Sequence, residues 1–292
     1  MRHFKRIYIE ITNVCNLSCT FCPKTKRSPQ FMDITTFRNI LENIYGYTKH
    51  LCFHIKGEPL LHPEIDKFLD ISHDMGFKVN LTTNGTLIDK AEQKILNKPA
   101  LRQVNFSLHS FSSNDKFITM EDYLNNVLCF TNKSVENSNT IIALRLWNLD
   151  KSDIRNSERQ RNRNLLSIIE NFFNLDFQIE ETIALNSGIK LRDRVFLNQD
   201  YEFKWPDLSI TSENTKGFCY GLRSHMGFLV DGTVVPCCLD NDGDIPLGNI
   251  NFCSFSEILS SPRAENMFDG FSNGKIVEAL CKRCGYRERF NG

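Results

Sequence analysis

Apolar residues alternate repeatedly between a period of two and helical spacing through the first 185 residues, and that alternation restricts the chain to an α/β fold built on a parallel sheet. Arg6 to Thr12 alternates as a strand, and Asp33-Ile34-Thr35-Thr36 offers N-cap residues to a helix carrying Phe37, Ile40, Leu41 and Ile44. Leu51 to Ile55 is a second strand, and Pro63 opens a helix with Ile65, Phe68, Leu69 and Ile71. Phe77 to Leu81, Val104 to Leu108 and Ile141 to Leu146 read as further strands, followed by helices over Leu87 to Leu96, Met120 to Asn132 and Leu165 to Phe173. Phe177 to Ile183 reads as the sixth strand. Strand–helix units in this order need right-handed crossovers, and chemistry in such parallel architectures gathers at the carboxyl ends of the strands.

Cysteines occupy the next level of constraint. Cys15, Cys19 and Cys22 follow the first strand with C-x3-C-x2-C spacing. Three thiolates can cap three irons of a four-iron cluster, and nothing nearby supplies a fourth ligand. A zinc site needs four ligands, usually with cysteines in pairs, so an iron-sulfur cluster with one open iron is the better fit, with structural zinc and chance spacing as alternatives. A second set, Cys219, Cys237, Cys281 and Cys284, provides four thiolates, enough to close a cluster and also suited to zinc. Its surroundings read as a hairpin, Met226 to Val230 and Thr233 to Val235 about an Asp231-Gly232 turn, and a helix from Ser256 to Ala264. Cys52 and Cys129 read as ordinary core residues, and Cys253 has no assigned role.

Composition excludes several classes. Lys plus Arg equals Asp plus Glu, so no global basic field draws in nucleic acid. The start, Met1 to Arg6, lacks the apolar run of a signal peptide, and no stretch approaches a membrane span. Eleven cysteines without an export signal argue for metal ligation in a reducing cytoplasm. Arg155, Arg159, Arg161 and Arg163 read as a solvated face, with an anionic substrate or RNA as the alternative.

The cysteine triad, with Phe21 before its last member, resembles the cluster loop of the radical S-adenosylmethionine (SAM) enzymes. Lys56-Gly57-Glu58-Pro59 looks like that family's Gly-Gly-Glu-Pro element, with Lys56 in place of the first glycine. The resemblance implies that the SAM amino and carboxylate groups chelate the open iron. It further implies that Phe21 contacts adenine, that Gly57, Glu58 and Pro59 meet the amino group, and that Asn84 shapes the site through the Thr-Asn-Gly turn. Ser107 would reach the ribose or carboxylate, although His109 stands where the family commonly has Asp. Arg145, at the end of the fifth strand, needs an anion, either the SAM carboxylate or a core carboxylate such as Glu10, and Asn148 would bond the ribose.

Cys219, the Gly-x4-Cys run ending at Cys237, and Cys281-Lys282-Arg283-Cys284 are similar to the Twitch form of the SPASM appendage; the spacing favours Cys237 over Cys238. The implied architecture is a partial (β/α)6 TIM-like barrel over residues 1–185, a bridging or lid segment over 186–216, and a small α+β Twitch/SPASM-like domain over 217–292 with one auxiliary 4Fe-4S cluster. The implied chemistry is reductive cleavage of SAM to a 5'-deoxyadenosyl radical that abstracts hydrogen from a small molecule or peptide, the auxiliary cluster taking the second electron. Flavodoxin or ferredoxin would supply reducing electrons. His109, Asp240 and His225 are candidates for a general base, while the run Asp240 to Asp244 also reads as a solvated turn. Two alternatives stand beside this: a radical SAM enzyme acting on RNA or another anionic polymer, and a non-catalytic iron-sulfur or zinc module.

Overall fold

The structure, a computed structural model, describes residues 2–113, 118–149, 156–183, 188–201 and 203–290. Its elements run β1 (Arg6–Ile9), α1 (Ile34–Ile44), β2 (His50–Phe53), α2 (Ile65–Asp74), β3 (Lys78–Thr83), α3 (Ile88–Ile95), β4 (Leu101–Ser107), α4 (Met120–Asn137), β5 (Ile141–Leu149) and α5 (Asn156–Phe173). There follow α6 (Ile179–Ile183), β6 (Gly188–Arg192), β7 (Val195–Tyr201), β8 (His225–Phe228), β9 (Thr233–Val235), β10 (Gly248–Asn249), α7 (Phe255–Leu259), α8 (Pro262–Ser272) and α9 (Ala279–Lys282).

Two compact units share these elements. The first comprises Met1–Cys15, Pro23–Val79 and Phe203–Gly292. Its strands lie in the order β10-β9-β8-β1-β2, with β1 parallel to both β2 and β8 and with β9 antiparallel to its neighbours. The second comprises Asn16–Cys22 and Asn80–Glu202. Its strands, β3 from Asn80 onward included, lie in the order β3-β4-β5-β7-β6, with β5 parallel to β4 and β7 and with β6 antiparallel to β7.

Helix α1 shows how sequence sets an element. Asp33 caps it by accepting the Thr36 N–H at 2.8 Å, and Phe37, Ile40, Leu41 and Ile44 fall on one buried stripe. Phe37 meets Phe68 of α2 at 4.2 Å between ring centroids, a contact whose loss by Phe→Ala costs about 3–5 kcal/mol.

Three expectations change. Phe177 to Ile183 is not a strand: Glu170 Oε1 accepts the Ile179 N–H at 2.7 Å, and Glu180 and Glu181 occupy the first turn of the short helix α6. A short apolar run does not by itself distinguish strand from helix, and carboxylates at a helix start favour the helix. The parallel strand beyond β5 is instead β7, which with β6 forms a hairpin in the stretch expected to be a bridging or lid segment; Arg194 takes a left-handed φ of 60° at its turn. The helix read over Ser256 to Ala264 breaks into α7 and α8, because Ser261 caps a new helix and Pro262 occupies its first turn.

Candidate metal centres

The chain leading into the first cysteines is held by backbone-directed side chains. Thr12 Oγ1 donates to Gln30 O and Asn13 Nδ2 to Ser28 O, each at 2.8 Å, while Asn13 Oδ1 accepts Gln30 N–H at 2.7 Å. Entry to Cys15 is thereby zipped to the segment that follows Cys22. Gly57 packs under this run: with φ +76°, a Cβ there would stand 2.3 Å from Thr12 O and 2.8 Å from Val14 O. Only glycine permits that approach without displacing backbone. The next N–H, of Glu58, donates to Val14 O at 2.7 Å, and the buried Glu58 carboxylate accepts Leu60 N–H at 3.0 Å as cap of the 3-10 turn Pro59–Leu61. Gly57, Glu58 and Pro59 therefore brace the approach to the triad.

In the second unit, the segment Asn16–Cys22 is tied to the turn after β3. Asn84 Nδ2 donates to Asn16 Oδ1 at 2.9 Å, and Asn16 Nδ2 donates to Thr86 Oγ1 at 2.8 Å. Asn84 Oδ1 also accepts from Thr86 N at 2.9 Å, and Tyr123 Oη donates to Asn84 O at 2.8 Å. Cys22 N–H donates to Cys19 O at 3.2 Å, and the Phe21 ring lies 4.9 Å from that of His109. Cys15 is exposed, and Cys19 and Cys22 are half-buried. Sequence reasoning missed Asn16, Thr86 and Tyr123 because their roles arise from residues far apart in the chain.

Ser107 pairs in register with Arg145 across β4 and β5. Arg145 Nη2 donates to Asn105 Oδ1 at 2.6 Å, and its guanidinium lies 4.9 Å from the Trp147 ring centroid. Glu10, the core carboxylate considered for Arg145, is taken by Arg27, which forks onto it at 2.7 and 2.6 Å, and Glu10 also accepts Val230 N–H at 3.0 Å. The side chain of Asn148 lies outside the described residues.

Near the C-terminus, Cys219, Cys237, Cys281 and Cys284 are half-buried and lie within electrostatic reach of one another. Burial pushes the Cys237 and Cys281 thiols well above the ordinary thiol range, and neighbouring sulfurs raise them further, Cys238 and Cys219 leading for Cys237 and Cys219 leading for Cys281. Burial likewise raises Cys219, partly offset by the Gly221 N–H directed at its Sγ at 3.4 Å. Thiols so placed are costly to ionise alone and become thiolates readily when a soft cationic centre is bound, which is the chemistry an iron-sulfur cluster requires. Cys238 turns instead to the Tyr8 hydroxyl and the Ile55, Leu229 and Val235 cluster, and burial pushes its thiol to about 12. Among the described residues, no group of three or more His, Cys, Asp or Glu side chains is arranged to hold a single metal ion. Cys52 is core, whereas Cys129 faces outward from α4, contrary to expectation; its helix buries the Tyr123, Leu124, Val127 and Leu128 stripe.

The base candidates differ in environment. Burial lowers His109 to about 4, and its Nδ1 accepts Trp147 N–H at 3.3 Å. Burial also lowers His225 to about 4, with Tyr8 edge-on at 5.9 Å. Asp240 is not on a solvated turn: it is buried and accepts Asp244 and Ile245 N–H at 2.8 and 2.9 Å, and burial raises it to about 6. Of the arginine run, Arg163 pairs with Glu180 at 3.2 Å, and the side chains of Arg155, Arg159 and Arg161 lie outside the described residues.

A family model described as the radical SAM superfamily matches residues 9–154, and one described as an iron-sulfur cluster-binding domain, SPASM, matches residues 219–285. The chain belongs to the radical SAM superfamily and carries a SPASM domain. An uncharacterised protein of Methanocaldococcus jannaschii is 25% identical over 262 residues, covering 86% of this chain and 81% of its own length. A GTP 3',8-cyclase of Chlorobaculum tepidum is 25% identical over 261 residues, covering 85% and 72% respectively. Among solved structures, BtrN in complex with AdoMet and 2-DOIA aligns with TM-score 0.55 and 16% identity over 96% of this chain and 92% of that one. Streptococcus suis SuiB bound to precursor peptide SuiA aligns with TM-score 0.62 and 14% identity over 98% and 70%.

The fold is thus the partial TIM-like barrel of radical SAM enzymes with a C-terminal SPASM-type domain, and the protein is an enzyme of that class. Its cofactors are a 4Fe-4S cluster, SAM as cosubstrate, and auxiliary iron-sulfur. No described helix is long and apolar enough to cross a membrane.

Proposed function

We propose that this enzyme is a radical SAM oxidoreductase or maturase acting on a small molecule or peptide, with Cys15, Cys19 and Cys22 holding the SAM-binding cluster and Cys219, Cys237, Cys281 and Cys284 holding one auxiliary 4Fe-4S cluster. When bound, the first cluster with SAM supplies a 5'-deoxyadenosyl radical for hydrogen abstraction, and the second supplies a one-electron acceptor. The observation that carries the reading is the contrast between an exposed Cys15 in a three-cysteine loop and four half-buried cysteines, of which Cys237 and Cys281 register the sulfurs around them. One arrangement suits an iron left open to a cosubstrate; the other suits a closed centre.

The chain's own residues divide the remaining work. Gly57, Glu58 and Pro59 set the approach to Cys15 and serve the SAM amino group. Asn84 holds Asn16 and so the loop carrying Cys19 and Cys22. Phe21 offers its ring to adenine, and Ser107, Arg145 and Asn148 serve the ribose and carboxylate, Asn105 orienting Arg145. The substrate class draws support from a relative named GTP 3',8-cyclase and from solved neighbours bound to a precursor peptide or to 2-DOIA. A low-potential protein such as flavodoxin or ferredoxin would supply the electron.

The test is reductive SAM cleavage by anaerobically reconstituted protein with dithionite, following 5'-deoxyadenosine, beside Cys15→Ala. Product from the native protein alone supports the assignment of the triad. Equal product from both would remove Cys15 from the cluster and overturn it.

A further inference from the structure

Two arginines of the C-terminal region are paired with carboxylates. Arg263 forks onto Glu278 at 2.7 and 2.8 Å, and Arg283 meets Glu213 at 2.6 Å. Arg287 is different. It is 3% exposed, and its Nε, Nη1 and Nη2 donate to Cys281 O at 3.3 Å, Lys216 O at 2.7 Å and Asn214 O at 2.9 Å. Those acceptors are neutral backbone carbonyls, and among the described residues no carboxylate pairs with this guanidinium.

A guanidinium does not lose its proton in a protein, so burial leaves a full positive charge in want of an anion. Phe218 and Tyr220 flank Cys219 in sequence with ring centroids 4.8 Å apart, Tyr220 meets Phe290 at 5.0 Å, and Tyr286, next to Arg287, meets Phe290 at 5.6 Å. A charge held away from water acts strongly on its neighbours. The guanidinium reaches the second cysteine set directly, through its hydrogen bond to the Cys281 carbonyl.

We infer that Arg287 is a positioning residue for electron acceptance, its buried charge, met among the described residues by backbone carbonyls alone, raising the reduction potential of the auxiliary cluster. This rests on the reading that Cys219, Cys237, Cys281 and Cys284 hold that cluster. A 4Fe-4S centre on four thiolates is anionic and gains one further negative charge on reduction, so a fixed adjacent cation favours the reduced form. The electron gained is the one a substrate radical gives up as it becomes closed-shell product, with a proton leaving to a base or to water. A cluster tuned this way is an acceptor, which places the enzyme among those that oxidise their substrate rather than those returning the electron to it.

The experiment uses the full chain with Cys15→Ala, Cys19→Ala and Cys22→Ala, so that one cluster remains, and follows an EPR-monitored redox titration beside iron content. At a fixed potential Arg287→Gln should shift the reduced-to-oxidised ratio at least tenfold toward oxidised, equivalent to 59 mV for one electron. Arg287→Lys should stay within threefold, and Arg289→Gln, which removes an exposed charge, within twofold. Asn214→Asp keeps the side-chain oxygen that accepts Lys216 N–H and sets a carboxylate beside Arg287; it should shift the ratio about threefold in the same direction. A ratio within twofold for Arg287→Gln at full iron content overturns the inference. Should that variant lose its iron, an unchanged ratio in Asn214→Asp overturns it instead. A parent protein with no four-iron signal would defeat the assignment of the four cysteines themselves, and the inference with it.

Discussion

The two cysteine regions solve opposite problems with the same side chain. Cys15 is exposed and its neighbours half-buried, on a loop held by hydrogen bonds at its ends, from Thr12 and Asn13 on one side and from Asn84 through Asn16 on the other. The later set is half-buried throughout, burial drives the thiols of Cys237 and Cys281 well up, and the buried Arg287 donates to the Cys281 carbonyl. A centre that must admit a cosubstrate is built from accessible ligands on a braced loop. A centre that need only exchange electrons can be built from ligands with none fully exposed. The difference teaches that ligand count and ligand burial carry separate information.

The largest expected effect breaks the first region alone. Cys19→Ala should reduce SAM cleavage by more than about 1000-fold, roughly 4 kcal/mol of barrier, while the auxiliary iron stays bound, as iron analysis and EPR would show. Loss of both iron signals would show that the regions do not load independently.

Within the second region, Cys237 and Cys238 are adjacent and oppositely directed. Cys237→Ala should remove the auxiliary cluster, whereas Cys238→Ala should keep it and cost about 1–2 kcal/mol in a denaturant titration, from the cavity beside Tyr8 and Ile55. Retained iron in Cys237→Ala would transfer the ligand role to its neighbour.

Gly57→Ala sharpens the claim that the first region depends on bracing. The added methyl meets Thr12 O at 2.3 Å at a backbone φ of +76°, so a destabilisation of roughly 3 kcal/mol is expected, with at least about tenfold slower SAM cleavage. Wild-type rates in that variant would separate the loop from its support.

The smallest effect is a pH dependence at His109. Its imidazole lies below its ordinary 6.5, at about 4, because burial disfavours the charged ring. The unfolded chain therefore takes up the proton first as pH falls, so this contribution is whole above 6.5 and lost on descending toward 4. Unfolding free energies at pH 7 and pH 5 should differ by roughly 1–2 kcal/mol more in the native protein than in His109→Leu. Identical pH profiles would remove His109 from the packing role beside Phe21.

Much of this molecule was legible in the order of its residues. The alternation of strand and helix is local, since each apolar stripe reports its own burial, and α1 with Phe37, Ile40, Leu41 and Ile44 appeared where it was expected. The cysteine spacings were legible because ligands in one loop must be close in sequence to be close in space. Phe177 to Ile183 was misread because its cap, Glu170, comes from the preceding helix, and the β6–β7 hairpin was missed because its strands carry few apolar positions, Ile189 and Leu191 in one and Val195, Phe196 and Leu197 in the other.

By itself, the sequence determined the class of fold, the two groups of cysteines and the Gly-Glu-Pro run, because these depend on short-range periodicity and spacing. Only the tertiary structure decided that Glu10 belongs to Arg27, that Asn84 reaches back to Asn16, that Cys238 turns away toward Tyr8, and that Arg287 is buried against carbonyls instead of a carboxylate. Each of these turns on charge or hydrogen bonding between residues distant in the chain. Desolvation makes such pairings strong enough to matter, and desolvation does not exist until the chain has folded.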